Sequence, residues 1–208
     1  GARVEAVSDP AILLSTTSVY PDSTASAFDF AAEVGFDGVE LMVGVDQVSL
    51  DEEAISELSD RYRVPVRSLH APTLLITQRA WGSDPWGKLR RSAEAARRLG
   101  ADIVVVHPPF RWQRDYGEGF AQGIRELNRA SGVTFAVENM YPWRTPAGSF
   151  AAYLPGWDPT DLDYDHLTLD LSHASTAQQR SLDLVERWGD RLAHVHLTDG
   201  KGSFKDDH

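Results

Sequence analysis

His70, His107, Glu138, Asp170 and His196 share one feature in the sequence, each ending or directly following a short run rich in apolar residues, and Glu40 lies within another such run. Imidazoles and carboxylates gathered at one mouth make a site for a divalent cation. A chain without cysteine must build such a site from nitrogen and oxygen alone. In Leu169-Asp170-Leu171-Ser172-His173 an Asp at a strand end is followed three residues later by a His, so both side chains can enter one mouth; the alternative is an Asp that caps the next helix and a surface His. In His194-Val195-His196 the two-residue period of a strand turns both rings to one face. Only His196 is near enough to the strand end to reach the mouth, which leaves His194 as a hydrogen-bonded interior residue. Glu138 closes an otherwise apolar strand, where burial without a partner costs several kcal/mol, so a cation or an arginine such as Arg144 is expected beside it. His70-Ala71-Pro72 and His107-Pro108-Pro109 place two imidazoles at matching positions. Asp206 and His208 have the alternation to add two more ligands, although composition alone reads equally as an acidic tail.

The elements that must position these groups alternate along the chain. β-branched runs at Ile12–Leu14, Gly38–Val43, Val64–Leu69, Ile103–Val106, Val133–Val137, Leu167–Leu169 and Leu192–Val195 predict seven strands. Helical periodicity fills Ser26–Val34, Asp51–Tyr62, Trp86–Leu99, Gly119–Ala130 and Ala177–Trp188, and Gly35, Gly100, Gly132 and Gly189 mark helix exits. Strict βα alternation allows an open doubly wound sheet or a closed barrel. An open sheet concentrates its ligands at one switch point, usually with a Gly-rich phosphate loop, and no such loop is present. Polar residues at the ends of many strands are instead the pattern of a (β/α)8 barrel, α/β in class. Seven units at about 30 residues each reach the end of the chain, so residues 1–208 are expected to form a single barrel domain that is C-terminally incomplete, lacking the eighth βα unit.

Composition narrows the partners. A net charge of −11 argues against a surface that tracks nucleic-acid phosphates, because that affinity is supplied by Lys and Arg. No apolar run is long enough to span a membrane and no export signal leads the chain, so a soluble, cytoplasmic protein is expected. Trp81, Trp86, Trp112, Tyr141 and Trp143 fall in predicted loops after the third, fourth and fifth strands. They could wall a sugar ring, or pack the barrel rim.

Taken together, Gly35-Phe36-Asp37-Gly38-Val39-Glu40, Ser68-Leu69-His70-Ala71-Pro72, Val104-Val105-Val106-His107, Val137-Glu138-Asn139, Leu169-Asp170-Leu171-Ser172-His173 and His194-Val195-His196-Leu197-Thr198-Asp199-Gly200 resemble the xylose isomerase-like barrel superfamily of sugar and sugar-phosphate isomerases and epimerases, which also contains the apurinic endonucleases. The resemblance implies a divalent cation (Mn, Mg, Co or Zn) held by Glu138, Asp170 and His196, with a fourth ligand from the eighth strand. It implies a reaction by proton abstraction beside a carbonyl through a metal-stabilised enediolate. Glu138 and His173 are the expected catalytic residues, and Glu40, His70, His107, Trp112 and Trp143 the expected contacts to a small carbohydrate or polyol. The endonuclease branch implies instead a multi-zinc phosphodiester hydrolase with His70, His107, His173, Asp206 and His208 as further ligands. A metal-dependent lyase or dehydratase, or a non-catalytic subunit, is a third outcome, and homo-oligomerisation is compatible with each.

Overall fold

The computed structural model describes residues 9–74, 77 and 79–198. Strands β1 (Leu13–Ser15), β2 (Gly38–Met42), β3 (Val66–His70), β4 (Ile103–Val106) and β5 (Thr134–Glu138) are followed by a short separate pair, β6 (Trp143–Thr145) and β7 (Gly148–Phe150), and then by β8 (Leu167–Asp170) and β9 (Leu192–His196). One parallel sheet runs in the order β1-β2-β3-β4-β5-β8-β9. Helices α1 (Thr24–Val34), α2 (Glu52–Tyr62), α3 (Pro85–Leu99), α4 (Arg114–Ser131), α5 (Leu171–Thr176) and α6 (Ser181–Trp188) cross between its strands. Each of the seven expected strands is present, with ends shifted by a few residues.

The sheet curls almost into a ring. In a flat sheet β2 and β9, five strand spacings apart, would be separated by about 24 Å. Yet Glu40 of β2 and His194 of β9 approach to 2.6 Å. Curling turns alternate residues of every strand to a common interior, which is why Glu40, Ser68, His70, Glu138, Asp170 and His196 converge. Two register shifts, one between β2 and β3 at Val39/Glu40 and one between β8 and β9 at Leu167/Thr168, lie in strands that carry these residues. Such bulges re-aim side chains near functional sites. Gly38 permits the first: a Cβ there would stand 2.6 Å from the carbonyl oxygen of Pro65.

The outer face of the sheet and the inner faces of the helices share one apolar core around Phe28, Ile55, Leu89, Phe120, Ile124 and Phe135. Among the described residues no strand covers the free edges of β1 and β9. Exposed apolar side chains stand there, Ile12 beside β1 and Val195 and Leu197 at β9.

Three details depart from the expectation. The helix expected over Ala177–Trp188 begins only at Ser181 as α6: a separate short helix, α5, capped by Asp170 immediately after β8, ends at Thr176, and Gln178 at φ 60° lies between the two. Helix α4 starts at Arg114, five residues before the expected Gly119; Gly117, Gly119 and Gly123 dilute its periodicity, and two of them admit close contacts from Leu154 and Trp86. The antiparallel β6–β7 hairpin after β5 was not expected, and Gly148 at φ 126° turns it. No helix among the described residues is long and apolar enough to cross a membrane.

Candidate metal centre

Glu138 lies at the middle of the barrel mouth, 1% exposed at the end of β5. Its Oε2 stands 2.9 Å from His107 Nε2 and 3.4 Å from His70 Nε2; its Oε1 stands 3.2 Å from His173 Nδ1 and 3.2 Å from His196 Nδ1. Asp170 closes the second side, with Oδ2 3.5 Å from His196 Nδ1. Among the described residues, three sets of ligand atoms are close enough to hold an ion: His70, His107 and Glu138; Glu138, Asp170 and His173; and Glu40, His194 and His196. The first two share Glu138.

The donor set fits a divalent cation. Around an ion bound at about 2.1 Å, neighbouring ligand atoms stand about 3.0 to 3.4 Å apart, the edge of an octahedron or tetrahedron. Distances of 2.9, 3.2 and 3.4 Å within the His70, His107 and Glu138 set match that edge. Glu138 Oε2 is fully buried yet makes no well-directed hydrogen bond, so its lone pairs face space that the imidazole nitrogens also face. The far nitrogens support this reading. His70 Nδ1 lies 3.0 Å from the Ala71 carbonyl, which can only accept, so the neutral ring bares its Nε2 toward Glu138. His196 Nε2 lies 2.7 Å from Glu40 Oε1, so once the ring is neutral its Nδ1 is the nitrogen left for a cation. An acceptor on the far nitrogen is the usual support of a metal-binding histidine.

Electrostatics add to the geometry. Burial pushes the carboxyl pKa of Glu138 up, but the charges of His107 and His196 and the close approach of the His107 and His173 nitrogens outweigh it and hold the group well below the usual range. Glu40 is held low in the same way, burial being outweighed by His196 and His194. For His196, burial works downward and the carboxylates of Glu138 and Glu40 outweigh it, raising its pKa well above the ordinary value. At His107 burial prevails over Glu138 and the pKa falls. Three buried carboxylates, Glu40, Glu138 and Asp170, thus give the interior a negative potential that a dication would offset.

The supports come from residues that sequence reasoning passed over. Asn139 clips the end of β5 to the end of β8: its Oδ1 accepts from Asp170 N at 2.7 Å and its Nδ2 donates to Asp170 O at 3.1 Å. Ser68 donates to Glu40 Oε2 at 2.7 Å. Asp170 combines both readings open in the sequence: Oδ1 caps α5 by accepting from His173 N at 2.7 Å, while Oδ2 faces His196. His173 is buried rather than on the surface, its Nδ1 2.9 Å from the Asn139 carbonyl and its ring against Tyr141.

Glu40, an expected substrate contact, is buried with its two oxygens facing His196, His194 and Ser68. We read it as a support behind His196. We expect Glu40→Gln to keep the fold and lower divalent-metal affinity by about 10- to 100-fold, as removal of such outer supports does. Competition against a chromogenic chelator measures this, and an unchanged affinity would reject the role.

The aromatic residues divide. Trp81 and Trp86 pack on the main core, Trp86 against Tyr116 and Phe120. Trp112 and Trp143 gather in a second cluster with Phe110: Trp112 lies flat on Phe110 at 4.6 Å while remaining 56% exposed, and Trp143 packs beside both. Asp206 and His208 lie outside the described residues.

Comparison with known proteins agrees with this architecture. The sequence model of the family described as "Xylose isomerase-like TIM barrel" matches residues 28–208. An uncharacterised protein of Mycobacterium leprae is 50% identical over 214 residues, covering 94% of this chain and 76% of its own length. Among solved structures, 3-keto-D-glucoside 4-epimerase from E. coli superposes with a TM-score of 0.64 at 17% identity, over 92% of this chain and 80% of its own. Endonuclease IV from Thermus thermophilus does so with a TM-score of 0.54 at 22% identity, over 96% and 81%. At these identities the two structures speak for the fold alone.

Proposed function

The chain belongs to the xylose isomerase-like TIM-barrel family, and on that premise we propose that it is a divalent-metal-dependent isomerase or epimerase of a sugar, sugar phosphate or related polyol. The observation that carries this reading is the buried Glu138 carboxylate, each of whose oxygens faces imidazole nitrogens at ligand spacing. Glu138, Asp170 and His196 would hold the cation, with His70, His107 and His173 beside them. Mn, Mg, Co or Zn suits this nitrogen and oxygen set. Such a cation supplies Lewis-acid stabilisation of the negative charge that develops when a proton leaves the carbon beside a carbonyl.

The chain's own residues supply the rest. Glu138 Oε1 is the atom placed to exchange a proton, because it stands at the junction of His173 and His196. Asn139 fixes Asp170 and, through its carbonyl, the His173 ring, so the acid/base pair does not reorient during the reaction. The exposed face of Trp112 offers a surface on which an apolar sugar face can stack. An eighth βα unit between β9 and β1 would cover the exposed edges and bring the remaining ligand.

A second reading rests on a specific feature. Glu138 is shared between two candidate ion sets, as a bridging carboxylate would be, and clustered cations activate water for phosphodiester hydrolysis. The net charge of −11 disfavours a nucleic-acid substrate, and the isomerase reading is preferred.

One experiment separates them. The zinc- or magnesium-loaded protein is incubated in D2O with a panel of ketoses, aldoses and their phosphates, and deuterium entry beside the carbonyl is followed by NMR. We expect exchange into at least one substrate, lost by at least about 1000-fold in Glu138→Gln, within the range that a positioned acid/base contributes. Absence of exchange across the panel, with hydrolysis of bis(p-nitrophenyl) phosphate, would favour the second reading.

A further inference from the structure

His70 ends β3 and His107 directly follows β4, yet their Nε2 atoms stand 3.2 Å apart and both face Glu138 Oε2. Holding two imidazoles at that spacing requires the end of one strand to be fixed against the end of the next. The ladder supplies part of this, Ala71 N donating to Val105 O at 2.9 Å. Beyond it a side chain takes over. Thr73 Oγ1 accepts from His107 N at 3.3 Å and donates to the Ala71 carbonyl at 3.3 Å, and the same carbonyl lies 3.0 Å from His70 Nδ1.

We propose that Thr73 is a positioning residue: its hydroxyl sets the spacing of the His70 and His107 imidazoles for a cation without itself touching the ion. The proposal rests on the metal centre of the preceding reading and not on the reaction assigned to it. Three observations carry it. Thr73 N lies 2.7 Å from Ala71 O, the i to i+2 bond of a γ-turn, and the ring of the central Pro72 holds φ at about −65°, close to the value of about −75° that the inverse form requires. The hydroxyl therefore projects from a stiff backbone. The Ala71 carbonyl can only accept, so it keeps the proton of the neutral His70 ring on Nδ1 and leaves Nε2 for an ion; Thr73 anchors that carbonyl through its own N–H and hydroxyl. His107 N lies past the last β4–β5 ladder pair, Val106 with Val137, and takes the Thr73 hydroxyl as its acceptor in a residue only 7% exposed. Removing the hydroxyl leaves that N–H unpaired, a cost the loop reduces by shifting, and the imidazole shifts with it.

The other half of the centre has a separate support. Asn139 holds Asp170 through two backbone hydrogen bonds, and its carbonyl faces His173 Nδ1. A lesion at Thr73 is thus expected to act on one pair of histidines and spare the rest.

The test titrates zinc calorimetrically into the chelator-treated chain and follows the imidazole nitrogens by 15N NMR, in the wild type, Thr73→Val and Thr73→Ser. Valine matches the shape of threonine without the hydroxyl, and serine keeps the hydroxyl. We expect Thr73→Val to bind zinc about 10-fold more weakly, the low end of the effect of an outer support. The zinc-induced shifts at His70 and His107 Nε2 are expected to shrink while that at His173 is kept, and Thr73→Ser to stay within about 2-fold of the wild type. Wild-type affinity and shifts in Thr73→Val overturn the proposal, as do equal losses in the valine and serine variants, a loss shared equally by His173, or no zinc uptake by the wild type. Thr73 is only half-buried; should Thr73→Val not fold, Thr73→Ala replaces it under the same criteria. Absence of deuterium exchange into any sugar, with this binding pattern intact, touches only the isomerase reading, and exchange with unchanged binding in Thr73→Val touches only this proposal.

Discussion

Glu138→Gln is expected to yield a folded barrel that no longer retains a divalent cation, with affinity lower by at least about 100-fold, at or beyond the upper end of what losing even an outer support costs. The amide matches the carboxylate in shape, and β5 stays paired with β4 and β8 through backbone bonds that do not involve the side chain. Ligation is another matter. Whichever way the amide turns, an NH2 group replaces an oxygen that faces either His70 and His107 or His173 and His196. An NH2 group donates a hydrogen bond to a bare imidazole nitrogen and cannot bind a cation beside it. One half of the centre loses its oxygen outright, and the other keeps only a neutral amide oxygen where a carboxylate stood. Calorimetric titration with zinc and manganese measures the effect, and wild-type affinity in Glu138→Gln would remove Glu138 from the centre.

Metal removal is expected to lower the melting temperature by about 8 to 16 °C. A ligand at 1,000 times its dissociation constant stabilises by about 4.1 kcal/mol, and for a chain of this size each kcal/mol is worth about 2–4 °C. The physical source is the group of buried carboxylates, which without a dication lean on protonated histidine. The sign with pH follows from His196. Its raised pKa in the metal-free protein means that the ring carries a proton at neutral pH which the cation must displace. The stabilisation by metal therefore shrinks as pH falls and grows as pH rises through the His196 pKa. Scanning calorimetry with and without chelator, at several pH values, checks both the size and the trend. A difference below about 2 °C at saturating metal would contradict it.

Much of the site was legible because barrel geometry turns a one-dimensional pattern into a three-dimensional one. Polar residues at strand ends have one common destination once the sheet curls, so Glu138, Asp170, His196, His70 and His107 could be grouped from their positions alone. The interior role of His194 followed from its two-residue offset from His196, and its contact with Glu40 agrees. What stayed hidden depends on contacts between distant segments. Nothing in the spacing of Glu40 reveals that Ser68 and two histidines of β9 occupy its oxygens. Asn139 follows Glu138 directly, yet its two hydrogen bonds to the Asp170 backbone exist only because β5 and β8 are neighbours across a hairpin and a long loop. The β6–β7 hairpin was overlooked because three-residue strands carry too little periodicity to register.

The central claim is that the strand-end histidines and carboxylates form a divalent-metal centre, and elemental analysis of the gently purified protein tests it most directly. Manganese, zinc, cobalt and iron are counted per chain, before and after dialysis against each metal. The account predicts at least one equivalent, held through buffer exchange and lost in Glu138→Gln. Less than about 0.1 equivalent of every metal, with no uptake on dialysis, would contradict it.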